Sequence, residues 1–256
     1  MEEADMRRDP TDGRGPAWQP LLQLPLRACL LSGGESRRMG SDKALLPHPE
    51  GGTWLERSLR LLAQLETPIS LLSRHPAHLE QAEQLALELA PGSPVMALAE
   101  PPPWEGPLLA LHRLMQQHPN EQLLLCPVDM PELSLAALQT LLASAATGSP
   151  TRLHLAHDGE RLQPLLGLYP SSAPTRAHLA AAVERGERRL QGWLATLPCQ
   201  AVPLDPRAIR NVNRPEPSQP ADSPSATTIR SQRSSSASTS ASSSCRGAGS
   251  GKGPSS

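Results

Sequence analysis

The chain has no phenylalanine, and Tyr169 is its only tyrosine. Four tryptophans complete an aromatic content of 2%. Leucine must therefore fill the core, with the tryptophans as its larger pieces. Cysteine is equally sparse. Cys29, Cys126, Cys199 and Cys245 form no C-x-x-C pair, and their spacing suits neither a zinc site nor a disulfide framework. Cys29 and Cys126 lie inside apolar runs, where cysteine behaves as a small hydrophobe. This usage predicts a reducing, cytoplasmic setting. No charge of one sign dominates. The 24 Lys and Arg residues nearly balance 25 Asp and Glu, for a formal net charge of -1. A nucleic-acid binder normally carries a basic excess, so that class is disfavoured and any anion chemistry must use local positive charge. No apolar run approaches the ~20 residues that span a bilayer. The opening "MEEADMRRDPTDGRGP" lacks the apolar core of a signal peptide. The expectation is a protein with no membrane partner and no nucleic-acid partner.

The 256 residues suffice for one domain with a substantial core and loose ends. Residues 1–24 read as a disordered leader, polar and rich in Pro and Gly. From residue 218 the chain is dominated by serine, and Ile229 is its only large apolar residue. Such a segment buries too little surface to offset its conformational entropy, so 218–256 reads as a disordered tail. The folded domain is expected over 25–217.

Within it, short apolar runs alternate with helical patterns. "LRACLL" (26–31), "PISLLS" (68–73), "VMALA" (95–99) and "QLLLCPV" (122–128) read as strands. Helical spacing marks 53–65, 78–90, 106–118 and 134–146. Thr53 and Glu56 have the spacing of a capping box, and Pro107 suits a first helical turn. The strands are continuous apolar runs, which fits a parallel sheet covered by helices on both faces. The pattern then changes. Residues 151–170 hold two strand-like runs around Asp158-Gly159, a hairpin signal that adds an antiparallel pair. Helices near 172–185 and 188–197 and a strand at 200–204 complete the order. The predicted fold is α/β, a Rossmann-like three-layer sandwich with a mostly parallel sheet and an antiparallel addition.

In open α/β sheets, ligands bind at the carboxyl ends of the strands. The first such loop here is "SGGESRRMGSDK" (32–43). Gly33 and Gly34 let a ligand approach the backbone closely, Arg37 and Arg38 offer planar donor forks, and Lys43 adds a point charge. The loop suits a polyphosphate. It is not a Walker loop, because Gly40 is followed by Ser41, Asp42 and Lys43 rather than directly by Lys and a hydroxyl. Nor do Gly33, Gly34 and Gly40 make a G-x-G-x-x-G fingerprint. Asp129 falls just past a buried strand and before Pro131. A lone carboxylate facing a basic loop suits Mg²⁺, which takes one or two carboxylates plus substrate phosphates. His75 and His78, like His154 and His157, are three apart. Nothing completes a zinc set around them, and all four read as surface residues.

"LSGGESRRMGSDKALL" closely resembles the L-x-G-G-x-S-x-R-M-G-x-D-K signature of the molybdenum cofactor guanylyltransferases (MobA-like nucleotidyltransferases), which belong to the glycosyltransferase-A-like nucleotidyltransferases. Further segments follow in the family's order. "EGPLLAL" (105–111) looks like its G-P-L-A-G-I segment, and "LLCPVDMP" (124–131) like its C-x-x-D-x-P segment. "RLQPLLGLY" (161–169), "ERRLQGWL" (187–194) and "RNVNRPEP" (210–217) resemble its later motifs. The resemblance spans about residues 26–217.

It implies transfer of GMP from GTP to the terminal phosphate of molybdopterin, with release of pyrophosphate. Arg38, Lys43 and Asp129 would be catalytic, with Arg38 and Lys43 on the β- and γ-phosphates and Asp129 as ligand of Mg²⁺. Leu31, Ser32, Gly33 and Gly34 would line the nucleotide. Asn211 and Asn213 would lie on the acceptor side. Molybdoenzymes or cofactor-biosynthesis proteins would be the further partners. Departures from the family pattern bear on base selectivity. Leu71 occupies the position of a frequent Asn, with Ser73 the polar residue close by. Glu100 replaces an Asp, and Leu109-Ala110 replaces Ala-Gly. The alternatives are a related transferase that uses CTP or a sugar phosphate acceptor, and a non-catalytic nucleotide-binding descendant.

Overall fold

The computed structural model of the protein describes residues 22–34, 42–89, 91–149 and 151–212. Its elements alternate through the first half: β1 (Leu26–Leu31), α1 (Trp54–Ala63), β2 (Ile69–Ser73), α2 (Pro76–Ala86), β3 (Val95–Ala99), α3 (Pro107–Gln117), β4 (Gln122–Pro127) and α4 (Leu135–Thr147). The second half adds β5 (Leu153–His157), β6 (Leu162–Pro170), α5 (Ala173–Glu184), α6 (Leu190–Leu194) and β7 (Cys199–Pro203). The seven strands form one sheet in the order β3-β2-β1-β4-β6-β5-β7. The first four are mutually parallel, and β6 runs antiparallel to both β4 and β5. The α/β class with an antiparallel addition is borne out. The expected leader and tail lie outside the described residues, apart from residues 22–24 of the leader, of which Leu22 packs against the core.

Each continuous apolar run serves two faces, because successive side chains of a strand point to opposite sides. Leu26, Ala28 and Leu30 of β1 join one core cluster with Leu124 and Cys126 of β4. Cys29 joins the other, with Leu123 and Leu125. Helices α1, α2 and α4 cover the first face through residues such as Leu59, Leu85 and Leu141. Helices α3, α5 and α6 cover the second through Leu111, Leu179 and Trp193. A strand buried on both faces has no polar side to alternate with, which is why its sequence shows no alternation.

Local chemistry sets the helix ends. Thr53 Oγ1 accepts from the Glu56 amide at 3.1 Å, and the Glu56 carboxylate accepts from the Thr53 amide at 3.0 Å, the reciprocal box expected from the sequence. Ser134 and Ser172 cap α4 and α5. Helix α2 differs from expectation, since it starts at Pro76 and ends at Ala86. Proline at the first helical position has no N–H to lose and a preset φ, so it opens the helix two residues before His78.

The partnership of the hairpin strands was not readable from the sequence. β6, the later strand, lies against β4, while β5 pairs in parallel with β7 at the edge. Between Leu155 and Ala156 the β5–β6 register shifts. The extra residues on β6 form a bulge, a device that re-aims side chains. Leu165 in that bulge lines the cavity described next.

Candidate active site

Chain order and sheet order separate at β1. The chain steps from β1 to β2 and β3 on one side, then returns to place β4 on the other. Such a switch point leaves a crevice at the strands' carboxyl ends. Register fixes which residues meet there. Leu31 pairs with Leu72 of β2 and with Pro127 of β4. The segments Ser32-Gly33-Gly34, Ser73-Arg74 and Val128-Asp129 therefore leave the sheet at one level. All of these residues but Ser73 line a cavity of about 460 Å³, together with Asp42, Lys43 and Glu100.

Three carboxylates line this cavity, and they differ in how they are held. Asp129 lies past the end of β4, where the Val128 amide donates to Leu31 O at 3.2 Å. Its Oδ2 is 3.9 Å from Lys43 Nζ, the outer limit of an ion pair. Burial pushes the Asp129 carboxyl above its usual range, and the Lys43 charge opposes that shift. Glu100 is held more tightly. It follows β3, and its Oε1 accepts from Arg113 Nη1 at 2.6 Å. Burial raises its pKa too, against the pull of Arg113. Its other oxygen lies close to Gly33, where an added Cβ would come within 2.9 Å of Oε2. A side chain at 33 would have to push the Glu100 carboxylate aside, whereas nothing lies within 4 Å of a Cβ built at Gly34.

Asp42 is held from two sides. Its Oδ1 accepts from the Ala44 amide at 3.1 Å, which caps a short 3₁₀ turn over Lys43–Leu45. Its Oδ2 lies 2.7 Å from Nε2 of His78. This histidine is only 1% exposed, contrary to the surface position expected for it. Its Nδ1 lies 2.9 Å from each of Ser32 Oγ, Ser73 Oγ and Ser32 O. Ser73 Oγ also donates to Ser32 O at 3.0 Å. The early start of α2 carries His78 into the first turn, beside the ends of β1 and β2, and these polar groups make its burial tolerable. His154 is buried as well, on β5, with Ser144 Oγ at 3.2 Å from its Nδ1. His75 and His157 are half-buried.

The residues expected at the site fall into four groups. Leu31, Ser32, Gly33, Gly34, Lys43, Glu100 and Asp129 all line the one cavity. Leu71 does not. It is fully buried in the core, and its neighbour Leu72 points to the cavity instead, because adjacent strand residues face opposite sides. Asn211 is exposed and only grazes Gln163 Oε1 at 3.4 Å, although the next residue, Val212, donates its amide to Asp129 O at 3.0 Å. Arg38 and Asn213 lie outside the described residues. Asp42, His78, Arg74, Trp104 and Arg113 were missed as contributors. Asp42 stood inside the quoted loop motif, but its histidine partner carried no local signal. Among the described residues no group of three or more His, Cys, Asp or Glu could hold a metal by itself.

Residues 28–202 match the model of the MobA-like NTP transferase domain. The chain belongs to this family. A probable molybdenum cofactor guanylyltransferase of Rhodopirellula baltica is 37% identical over 75% of this chain and 89% of that relative. Another, from Synechococcus elongatus, is 35% identical over 73% and 93%. Among solved structures, the molybdopterin-guanine dinucleotide biosynthesis protein A of Archaeoglobus fulgidus has the same fold, with a TM-score of 0.55 at 18% identity, covering 74% of this chain and 93% of that one. The 4-diphosphocytidyl-2C-methyl-D-erythritol synthase of Anaerococcus prevotii is similar in fold, with a TM-score of 0.56 at 8% identity over 74% and 93%. The MobA-like domain thus begins inside β1 and ends inside β7, so it includes the whole sheet except the β1 and β7 termini.

Proposed function

We propose that the chain transfers GMP from GTP to the terminal phosphate of molybdopterin. An oxygen of that phosphate attacks the α-phosphorus, the bond from the α-phosphorus to the bridging oxygen breaks, and pyrophosphate leaves. The observation that carries the reading is Lys43 beside Asp129 at the switch point, behind a glycine loop. The names of the relatives from Rhodopirellula baltica and Synechococcus elongatus support the same substrate pair.

The reaction brings several negative charges together, so its catalysis is mostly positioning and neutralisation. Lys43, with Arg38 from the same loop, would hold the leaving pyrophosphate. Gly33 and Gly34 would bring the backbone close to the nucleotide, and Glu100 would take the base side. A divalent cation, Mg²⁺ in this reading, would sit on Asp129. The donor set fits. Glu100 and Asp42 are committed to Arg113 and His78 by close contacts of 2.6 and 2.7 Å, whereas Asp129 meets Lys43 at 3.9 Å. The cation would supply charge neutralisation on the triphosphate oxygens. Asn211 and Asn213, which flank Val212 in the chain, would serve the acceptor side. A cytoplasmic setting belongs to the same reading, and the free thiols Cys29, Cys126 and Cys199 agree with it.

The test is pyrophosphate release with each of the four NTPs, molybdopterin and Mg²⁺ or Mn²⁺, with a chelator control. GTP should be preferred and the chelator should stop the reaction. Preference for CTP would overturn the base assignment. GTP binding without turnover would leave a nucleotide-binding descendant.

A further inference from the structure

We propose that Trp104 is the stacking surface for the nucleobase of the bound triphosphate. This deepens the nucleotidyl-transfer reading and rests on it. In a chain this poor in aromatics, the other described aromatic rings are buried: Trp54, Tyr169 and Trp193 all belong to the core. Trp104 alone of them is 51% exposed, and it lines the active-site cavity. An indole left in water forgoes a large burial gain, unless a ligand covers it.

The ring is also held in place. Its Nε1–H donates to Glu100 O at 2.9 Å. The preceding residue is anchored through Pro103 O, which accepts from Arg113 Nη2 at 2.9 Å. The Arg74 guanidinium lies over the ring, 5.2 Å from its centroid, within the range of a cation–π contact. Three separate elements therefore set the ring: the loop after β3, the end of β2 and helix α3. A fixed aromatic platform loses little freedom when a flat ligand stacks on it.

The neighbouring chemistry points to a base rather than to a phosphate. Glu100 presents a carboxylate from the same loop, with one oxygen fixed by Arg113 and the other near Gly33. A carboxylate accepts hydrogen bonds and repels phosphate, so this end suits a ring with a donor edge. The N1–H and amino group of guanine form such an edge. The cation Lys43 lies in the same cavity with Asp129. Base and phosphates would thus find separate groups in one cavity.

The test combines calorimetry with tryptophan fluorescence, using Mg·GTP on the full chain. GTP should quench wild-type fluorescence, and Trp104→Phe should remove that quench. Trp104→Phe should keep its affinity within about twofold, because a phenyl ring still stacks. Trp104→Ala should weaken GTP binding on the order of tenfold. Equal weakening in both variants would show that the indole N–H tether matters and not the stack, which overturns the proposal. Unchanged affinity in Trp104→Ala overturns it too, as does a quench by molybdopterin and not by GTP. Absence of calorimetric GTP binding in the wild type would instead sink the nucleotide reading on which the proposal stands.

Discussion

The two charged pairs of the cavity are built differently. Arg113 and Glu100 meet at 2.6 Å, with the guanidinium further anchored on Pro103 O. Lys43 and Asp129 stand 3.9 Å apart. Two opposite charges gain most by close contact, so a pair left long gives up attraction that the fold could have used. The tight pair is a finished part, which orients a carboxylate and the loop that carries Trp104. The loose pair places charges of both signs at the cavity wall, and the proposed function gives them a triphosphate and a cation to meet. One cavity thus joins a tightly paired end and a loosely paired one, which the proposed function assigns to recognition and to chemistry.

The largest effect should come from the loose pair. Asp129→Ala should cut pyrophosphate release on the order of 10³-fold and abolish its metal dependence, while the circular dichroism spectrum stays unchanged. Turnover near the wild-type level would remove Asp129 from the chemistry. Next comes the support beneath Lys43. His78→Phe deprives Asp42, Ser32 and Ser73 of a buried partner. It should lower unfolding stability by about 2–3 kcal/mol in urea titrations and reduce turnover on the order of tenfold. An unchanged urea midpoint would show that the cluster contributes nothing.

The tight pair should respond in another way. Arg113→Met removes the cation that lowers the pKa of Glu100, and burial then pushes that carboxyl further up. GTP should bind roughly tenfold more weakly, with turnover at saturating GTP less affected. A fall in turnover alone would erase the distinction between the two ends. The smallest effect lies far from both, at the hairpin. The amides of Arg161 and Glu160 hold the Asp158 carboxyl at about 2. A depressed carboxylate adds stability that is present above its usual value near 3.8 and lost as pH falls towards 2. Asp158→Asn should remove that acid-side dependence and shift the melting temperature only slightly at neutral pH. A melting profile of unchanged shape below pH 4 would refute it.

What was legible in the sequence follows from how far each signal reaches. The strands showed as continuous apolar runs, the box at Thr53 and Glu56 as a spacing of three, and the hairpin turn as Asp158-Gly159. All act within a few residues. The sheet order of β6, β5 and β7 depends on which strand edges meet after the chain has turned, and no local pattern encodes that. Leu71 and Leu72 show the same limit at finer grain. The run "ISLLS" marks a strand, but both faces are apolar, so it does not say which leucine faces the cavity.

By itself, then, the sequence determined the alternation of strands and helices, the capped helix starts and a loop whose glycines and cations suit a triphosphate. Those properties rest on backbone preferences and periodicity, which neighbours in the chain decide. Tertiary structure alone decided that Lys43 would stand beside Asp129, that His78 would be buried under Asp42, and that Trp104 would stay at the cavity. These residues come from separate segments, and only the parallel register of β2, β1 and β4 brings their ends to one level. The fold places them there because both faces of those strands must be covered by helices, which leaves the strand ends as the open place where polar groups can gather.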